Sequence, residues 1–189
     1  VVIVGWGGAA RTWHRPLIEA TPGLLLAGAV SSRPQAVASD RPDVPVWPDL
    51  SSALTQAGPD LVVLATPPDT HAALAAQALD AGCHVLVEKP FTARLDEALD
   101  LLRRAQAARR VLAVFHNRRW DGDFLTVRRL LAEGRLGPLV RVDSRMDRWR
   151  PTVRARWRES DGAGGGLWWD LGPHLLDQAL VLFGWPDTL

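Results

Sequence analysis

The chain has 189 residues, with 22 basic and 21 acidic groups and a formal charge of +1 at neutral pH. Such a balance provides no field to draw in nucleic acid or an anionic membrane surface, and no apolar run reaches the ~18–20 residues of a membrane-spanning helix. One cysteine, Cys83, excludes a disulfide framework within the chain and a cysteine-based zinc cluster, and points to a reducing, cytoplasmic compartment.

Val1 to Val4 is a short apolar run, and Gly5-Trp6-Gly7-Gly8-Ala9-Ala10 leads from it into a helical pattern through Leu17 and Ile18. Strand, glycine turn and helix in this order form the opening of a βαβ unit. In the pattern Gly-x-Gly-x-x-Ala, the first glycine permits the tight turn and the second lets the backbone approach a pyrophosphate. The third position needs only a small side chain, which Ala10 supplies. The free amides and dipole of the helix start then face the phosphates. Gly5, Trp6, Gly7, Gly8 and Ala10 are therefore the candidate dinucleotide cradle, a ligand-free glycine turn being the alternative.

A second strand is expected over 24–30, ending in Ser31-Ser32-Arg33. No carboxylate follows until Asp40, so the acid that would hold a ribose 2′-hydroxyl is missing. Ser32 and Arg33 suit a 2′-phosphate, which a guanidinium grips bidentately. NADP is expected in preference to NAD, against the alternative of a Ser-Ser helix cap with Arg33 in solvent.

Further strands are expected at 44–47, 61–65, 84–87 and 111–115, with helices at 35–39, 49–57, 71–81 and 95–108. Six alternations of strand and helix predict a doubly wound parallel sheet. Loops at the carboxyl ends of such strands bind ligands, so Thr66, Pro67 and Glu88-Lys89 should face the cofactor. His71 either touches the nicotinamide half or belongs to the next helix. Lys89 is the sole lysine, against 21 arginines. Arginine stays protonated, whereas lysine is a compact donor with a movable pKa, which suits proton-transfer chemistry; a leftover on a solvated loop is the alternative. Past residue 116 the alternation stops. A helix is expected over 121–133, a strand of a different sheet over 138–147, then an arginine- and tryptophan-rich segment, a glycine cluster and a last helix over 173–183.

The glycine turn, Glu88-Lys89-Pro90 and the run from Gly165 to Gln178, Gly-Gly-Leu-Trp-Trp-Asp-Leu-Gly-Pro-His-Leu-Leu-Asp-Gln, together resemble the Gfo/Idh/MocA family of nicotinamide-dependent oxidoreductases. Residues 116–126 and 147–151 are similar to its NADP-dependent scyllo-inositol dehydrogenase branch. The resemblance implies an NAD(P)-binding Rossmann domain over 1–116. A substrate and oligomerisation domain with a mainly antiparallel sheet would begin at 117 and be incomplete by 189, so that activity of this chain alone is in doubt. It implies Lys89, Asp170 and His174 as catalytic residues: His174 takes the hydroxyl proton, Lys89 bonds that oxygen and Asp170 orients His174. Alternatively, Asp170 caps the last helix with His174 in its first turn. Asp170, His174 and Asp177 also carry metal-donor atoms, but no metal is expected, and Asp177 is read as a supporting helix residue. Arg148, Arg150, Trp157 and Arg158 are candidates to grip a polyol. The expected function is hydride transfer between NADP and a secondary alcohol or ketone of a cyclic polyol or sugar, in a cytoplasmic homo-oligomer. The alternatives are another sugar, a dihydrodiol or a tetrapyrrole as substrate, or a nucleotide-binding module without catalysis.

Overall fold

The computed structural model describes residues 1–147, 149, 151–152 and 165–188. The chain divides into two compact units, Val1–Phe115 and His116–Leu189. In the first unit six strands, β1 (Val2–Val4), β2 (Gly28–Val30), β3 (Val46–Trp47), β4 (Leu61–Leu64), β5 (His84–Glu88) and β6 (Leu112–Phe115), form one sheet in the order β3-β2-β1-β4-β5-β6. Every neighbouring pair is parallel. The order reverses at β1, which places a crevice outside the carboxyl ends of β1 and β4, where such sheets take their ligands.

Period-two alternation explains why the central strands read as unbroken apolar runs. On one face Val2, Val4, Val62, Leu64, Val85 and Val87 pack against Ala75 and Leu79 of α4 (His71–Asp80) and Leu101 of α5 (Leu95–Ala108). On the other, Ile3, Ala29 and Val63 meet Ala10, Ile18 of α1 (Arg15–Ala20) and Val37 of α2 (Pro34–Asp40). A sheet covered on both faces leaves no polar position in β1 or β4. The remaining crossover helix is α3 (Leu50–Ala57), whose cap, Asp49, accepts from the Ser52 amide at 2.8 Å.

Strand β2 is shorter than the expected 24–30. Its partner β1 offers only three residues, Val2 to Val4 against Gly28 to Val30, and Leu25 on the approach is exposed. Before Gly28 the chain is tied to Val1, which accepts from the Ala27 amide and donates from its amino group to the Leu25 carbonyl, each at 2.8 Å.

The second unit contains a 3₁₀ turn (Asn117–Trp120), α6 (Gly122–Ala132) and α7 (Gly166–Phe183). Helix α7 begins seven residues before the expected start at Pro173, which sits inside the helix. Proline there forfeits one backbone bond and crowds the carbonyl four residues back. The turn is packed nonetheless, because the Trp168 indole lies over Gly172, where an added Cβ would come within 2.9 Å of the ring. Asp170 is consequently a residue of the helix body, and the capping alternative is corrected. Arg119 donates to both oxygens of Asp177 at 2.8 and 2.6 Å, and Gln178 Nε2 donates to the Arg118 carbonyl at 3.0 Å, tying α7 to the 3₁₀ turn.

The strand expected over 138–147 is also corrected. Residues 139–147 take no ladder bonds among the described residues, and Val140 is 98% exposed. An extended segment becomes a strand only against a partner. No helix among the described residues is long and apolar enough to cross a membrane.

Gly28 marks the tightest point of the sheet: a Cβ there would lie 2.0 Å from the Trp47 ring and 3.0 Å from the Pro45 carbonyl. Gly28→Ala should therefore destabilise the first unit by about 1–3 kcal/mol, as overpacking does. Urea unfolding monitored by circular dichroism checks this.

Candidate functional site

The site is built on the carboxyl edge of the parallel sheet. Gly5 follows β1 with φ of +91°, and a Cβ added to it would sit 2.6 Å from the Ala65 carbonyl oxygen beyond β4. Any side chain would force these strands apart, so the first glycine is required. Its amide donates to the Val30 carbonyl at 2.9 Å. Gly7 and Gly8 differ: a Cβ on either would meet nothing within 4 Å, which leaves the backbone at the start of the helix open to an approaching group. Ala10 is fully buried against the sheet. The turn thus fits a dinucleotide pyrophosphate position by position.

Trp6 has a second use. Its indole is 3% exposed and donates from Nε1 to Asp40 Oδ2 at 2.9 Å, while Arg11 pairs with the same carboxylate at 2.7 Å. Only the Trp6 backbone is left for a ligand. Arg11 and then Trp6 hold the Asp40 carboxyl below its ordinary range. The first carboxylate after β2 is therefore already occupied, while Ser32 and Arg33 stand exposed before α2. Ser31 Oγ accepts the Arg33 amide at 3.0 Å and bends the chain there.

Thr66 and Pro67 follow β4. Thr70 Oγ1 donates within this loop, 2.7 Å from both Thr66 Oγ1 and the Pro67 carbonyl. His71 is fully buried at the start of α4, with Nδ1 2.9 Å from the Pro90 carbonyl and Nε2 3.0 Å from the Thr66 carbonyl. It is a brace joining the loops after β4 and β5. Glu88 ends β5, and Lys89 follows it at 9% exposure; the Lys89–Pro90 bond is cis. One residue escaped the sequence reading. His14, 2% exposed, places Nε2 2.8 Å from Glu88 Oε1 and its ring 4.4 Å from that of Phe115. Its signal was a histidine four residues after Ala10, which looks like any residue of an amphipathic helix.

In the second unit Asp170 and His174 are four residues apart on α7, hence on one side of the helix. His174 is 5% exposed. Asp177, one turn on, has both oxygens engaged by Arg119, with His116 Nε2 at 3.8 Å. Its carboxylate holds the Arg119 charge more firmly than usual. Among the described residues no three His, Cys, Asp or Glu side chains gather as a metal site. Arg148, Arg150, Trp157 and Arg158 lie outside the described residues.

Comparison with known proteins agrees with this geometry. The model of an oxidoreductase family with an NAD-binding Rossmann fold, GFO_IDH_MocA, matches residues 1–116, and the GFO/IDH/MocA C-terminal domain matches 124–189. An uncharacterized oxidoreductase of Escherichia coli, YdgJ, is 52% identical over all of this chain and 55% of its own length. The scyllo-inositol 2-dehydrogenase (NADP(+)) IolW of Bacillus subtilis is 38% identical over all of this chain and 53% of its own. A solved oxidoreductase structure from Yersinia pestis superposes with a TM-score of 0.91 at 53% identity, over 98% of this chain and 52% of that one. The chain spans about half the length of these relatives. With a glycine turn shaped for a dinucleotide and family models matching both units, the chain belongs to the Gfo/Idh/MocA oxidoreductases.

Proposed function

We propose that the full-length protein is an NADP-dependent dehydrogenase that interconverts a secondary alcohol and a ketone on a cyclic polyol or sugar, inositol-like in its ring of hydroxyls. The observation that carries the reading is that the only lysine of the chain, largely buried, stands on the same sheet edge as the open glycine turn. The substrate class is supported by the Bacillus subtilis relative, a scyllo-inositol dehydrogenase that uses NADP.

The backbone of Gly5 to Gly8 holds the pyrophosphate and the helix start faces its charge. Ser32 and Arg33 hold the 2′-phosphate, in keeping with an Asp40 carboxylate already bound by Trp6 and Arg11. Thr66 and Pro67 flank the nicotinamide half, with His71 fixing their loop. The nicotinamide supplies hydride transfer when bound. Lys89 donates a hydrogen bond to the substrate oxygen, which favours the alkoxide-like charge that develops there. His174 takes the hydroxyl proton in oxidation and returns it in reduction, and Asp170 orients its ring. Residues 1–116 serve as the cofactor domain, and the remainder opens the substrate and oligomerisation domain of a cytoplasmic homo-oligomer. Arg148, Arg150, Trp157 and Arg158 would contact the polyol.

Initial rates of the full-length protein with scyllo-inositol, myo-inositol as comparison, and NADP beside NAD test the proposal. Turnover with NADP exceeding that with NAD is expected; binding of NADPH without turnover of any polyol would refute the substrate class. Lys89→Arg should lower turnover by about 10²–10³, as loss of a positioned donor at a developing oxyanion does, while NADPH affinity measured by fluorescence stays close to that of the parent. Arg33→Ala should weaken NADPH by about 1.5–3 kcal/mol, the range of a hydrogen bond to a charged group, and leave NADH binding unaltered. Equal losses for the two cofactors would remove Arg33 from the 2′-phosphate site.

A further inference from the structure

We infer that His14 is a positioning residue for Lys89, acting through Glu88, and that it links the phosphate cradle to the catalytic lysine. The inference rests on the reading that the glycine turn holds a dinucleotide and that Lys89 acts on the substrate.

The alternation along β5 puts Val85 and Val87 in the core under α4 and α5, and Leu86 against the opposite core, which contains Ala10 and Ile18. Glu88 shares the parity of Leu86, so it projects toward the side of the sheet where the first helix lies. A carboxylate only 12% exposed there needs a donor. His14 Nε2 supplies it at 2.8 Å, and because a carboxylate only accepts, Nε2 carries the proton. The imidazole is held in turn by the ring of Phe115, which is the ladder partner of Glu88 on β6. His14 is thus clamped between the ends of β5 and β6, one residue away from Lys89 in contact order.

The other end of the link is the turn itself. The Arg11 amide donates to the Gly7 carbonyl at 3.1 Å, and the Arg15 amide reaches back five residues to the Ala10 carbonyl, so that Ala10 to His14 form a π-helical turn. Such turns are rare, and they gather at functional sites. Here the wide turn runs without interruption from the cradle to His14. A ligand that draws on the amides at the start of this helix bears on the same hydrogen-bonded segment that grips Glu88. Binding of the dinucleotide and the placement of Lys89 are thereby coupled through one side-chain bond.

Two variants of the full-length protein separate positioning from packing. His14→Phe keeps a ring against Phe115 and removes the donor; His14→Gln restores a donor without the ring. Lysines are reductively methylated with ¹³C-formaldehyde, and the Lys89 resonance is assigned by its absence from Lys89→Arg. In the parent, NADP should shift this resonance. In His14→Phe the shift should be lost although NADP still binds, and turnover should fall about 10²-fold, the cost of a displaced catalytic group, with KM for NADP little changed; His14→Gln should recover both. The inference is overturned by a parent-like Lys89 shift and turnover in His14→Phe. It is equally overturned if His14→Phe and His14→Leu fail to fold while His14→Gln does not, since that assigns His14 to stability. The resonance is read without turnover, so a failure of the dehydrogenase reading and a failure of this link are separate results.

Discussion

The contact between Gly5 and the Ala65 carbonyl governs the first unit. A chain leaving β1 must turn at once, because β4 runs directly alongside it, and at 2.6 Å from a would-be Cβ there is room for hydrogen and nothing larger. Satisfying that constraint with glycine sets the direction in which Gly7 and Gly8 leave the sheet, and hence where the first helix begins. From that starting point follow the burial of Ala10, the anchoring of α2 through Trp6 and Asp40, and the reach of His14 to Glu88. Three separate consequences at the ligand edge therefore have a single steric origin.

The side chains around this edge divide into those turned inward as braces and those turned outward. Trp6, His14 and His71 are aromatic or heteroaromatic groups, each at most 3% exposed, with a ring nitrogen within hydrogen-bond distance of an oxygen on another segment. Burying such groups is favourable only when a polar partner meets them, and each has at least one ring nitrogen facing a carboxylate or carbonyl. Ser32, Arg33 and Pro67 stand exposed on the same edge. A rigid inner layer behind a solvent-facing outer one is the arrangement that holds catalytic geometry, since side chains locked by packing and hydrogen bonds keep their neighbours in place.

The Rossmann sheet was legible because its signals are local. Short apolar runs located every strand, and helix α5 was bounded correctly at Leu95 and Ala108. The glycine turn could be read from its spacing alone, although the neighbour that makes Gly5 obligatory, the Ala65 carbonyl, lies 60 residues away. What was missed depends on distant partners. His14 joins a residue 74 positions away, and Trp6 a residue 34 away, so neither role leaves a trace in its own neighbourhood. The last helix was misjudged by the opposite fault: Gly172-Pro173 is a strong local stop, overruled here by the packing of Trp168 across Gly172. The segment over 139–147 had the alternation of a strand but no partner in the described residues to make it one.

Pro173 in α7 bears on how its two candidate catalytic side chains are aimed. In an unbroken helix, residues four apart point nearly the same way, but Pro173 falls between Asp170 and His174 and withholds the amide that would bond the Trp169 carbonyl. Proline inside a helix is among the recognised causes of a bend. The relative aim of carboxylate and imidazole therefore depends on the backbone at this proline as well as on the two side chains' own rotamers. A sequence that kept Asp170 and His174 but replaced Pro173 would carry the same chemical groups on a differently hydrogen-bonded backbone.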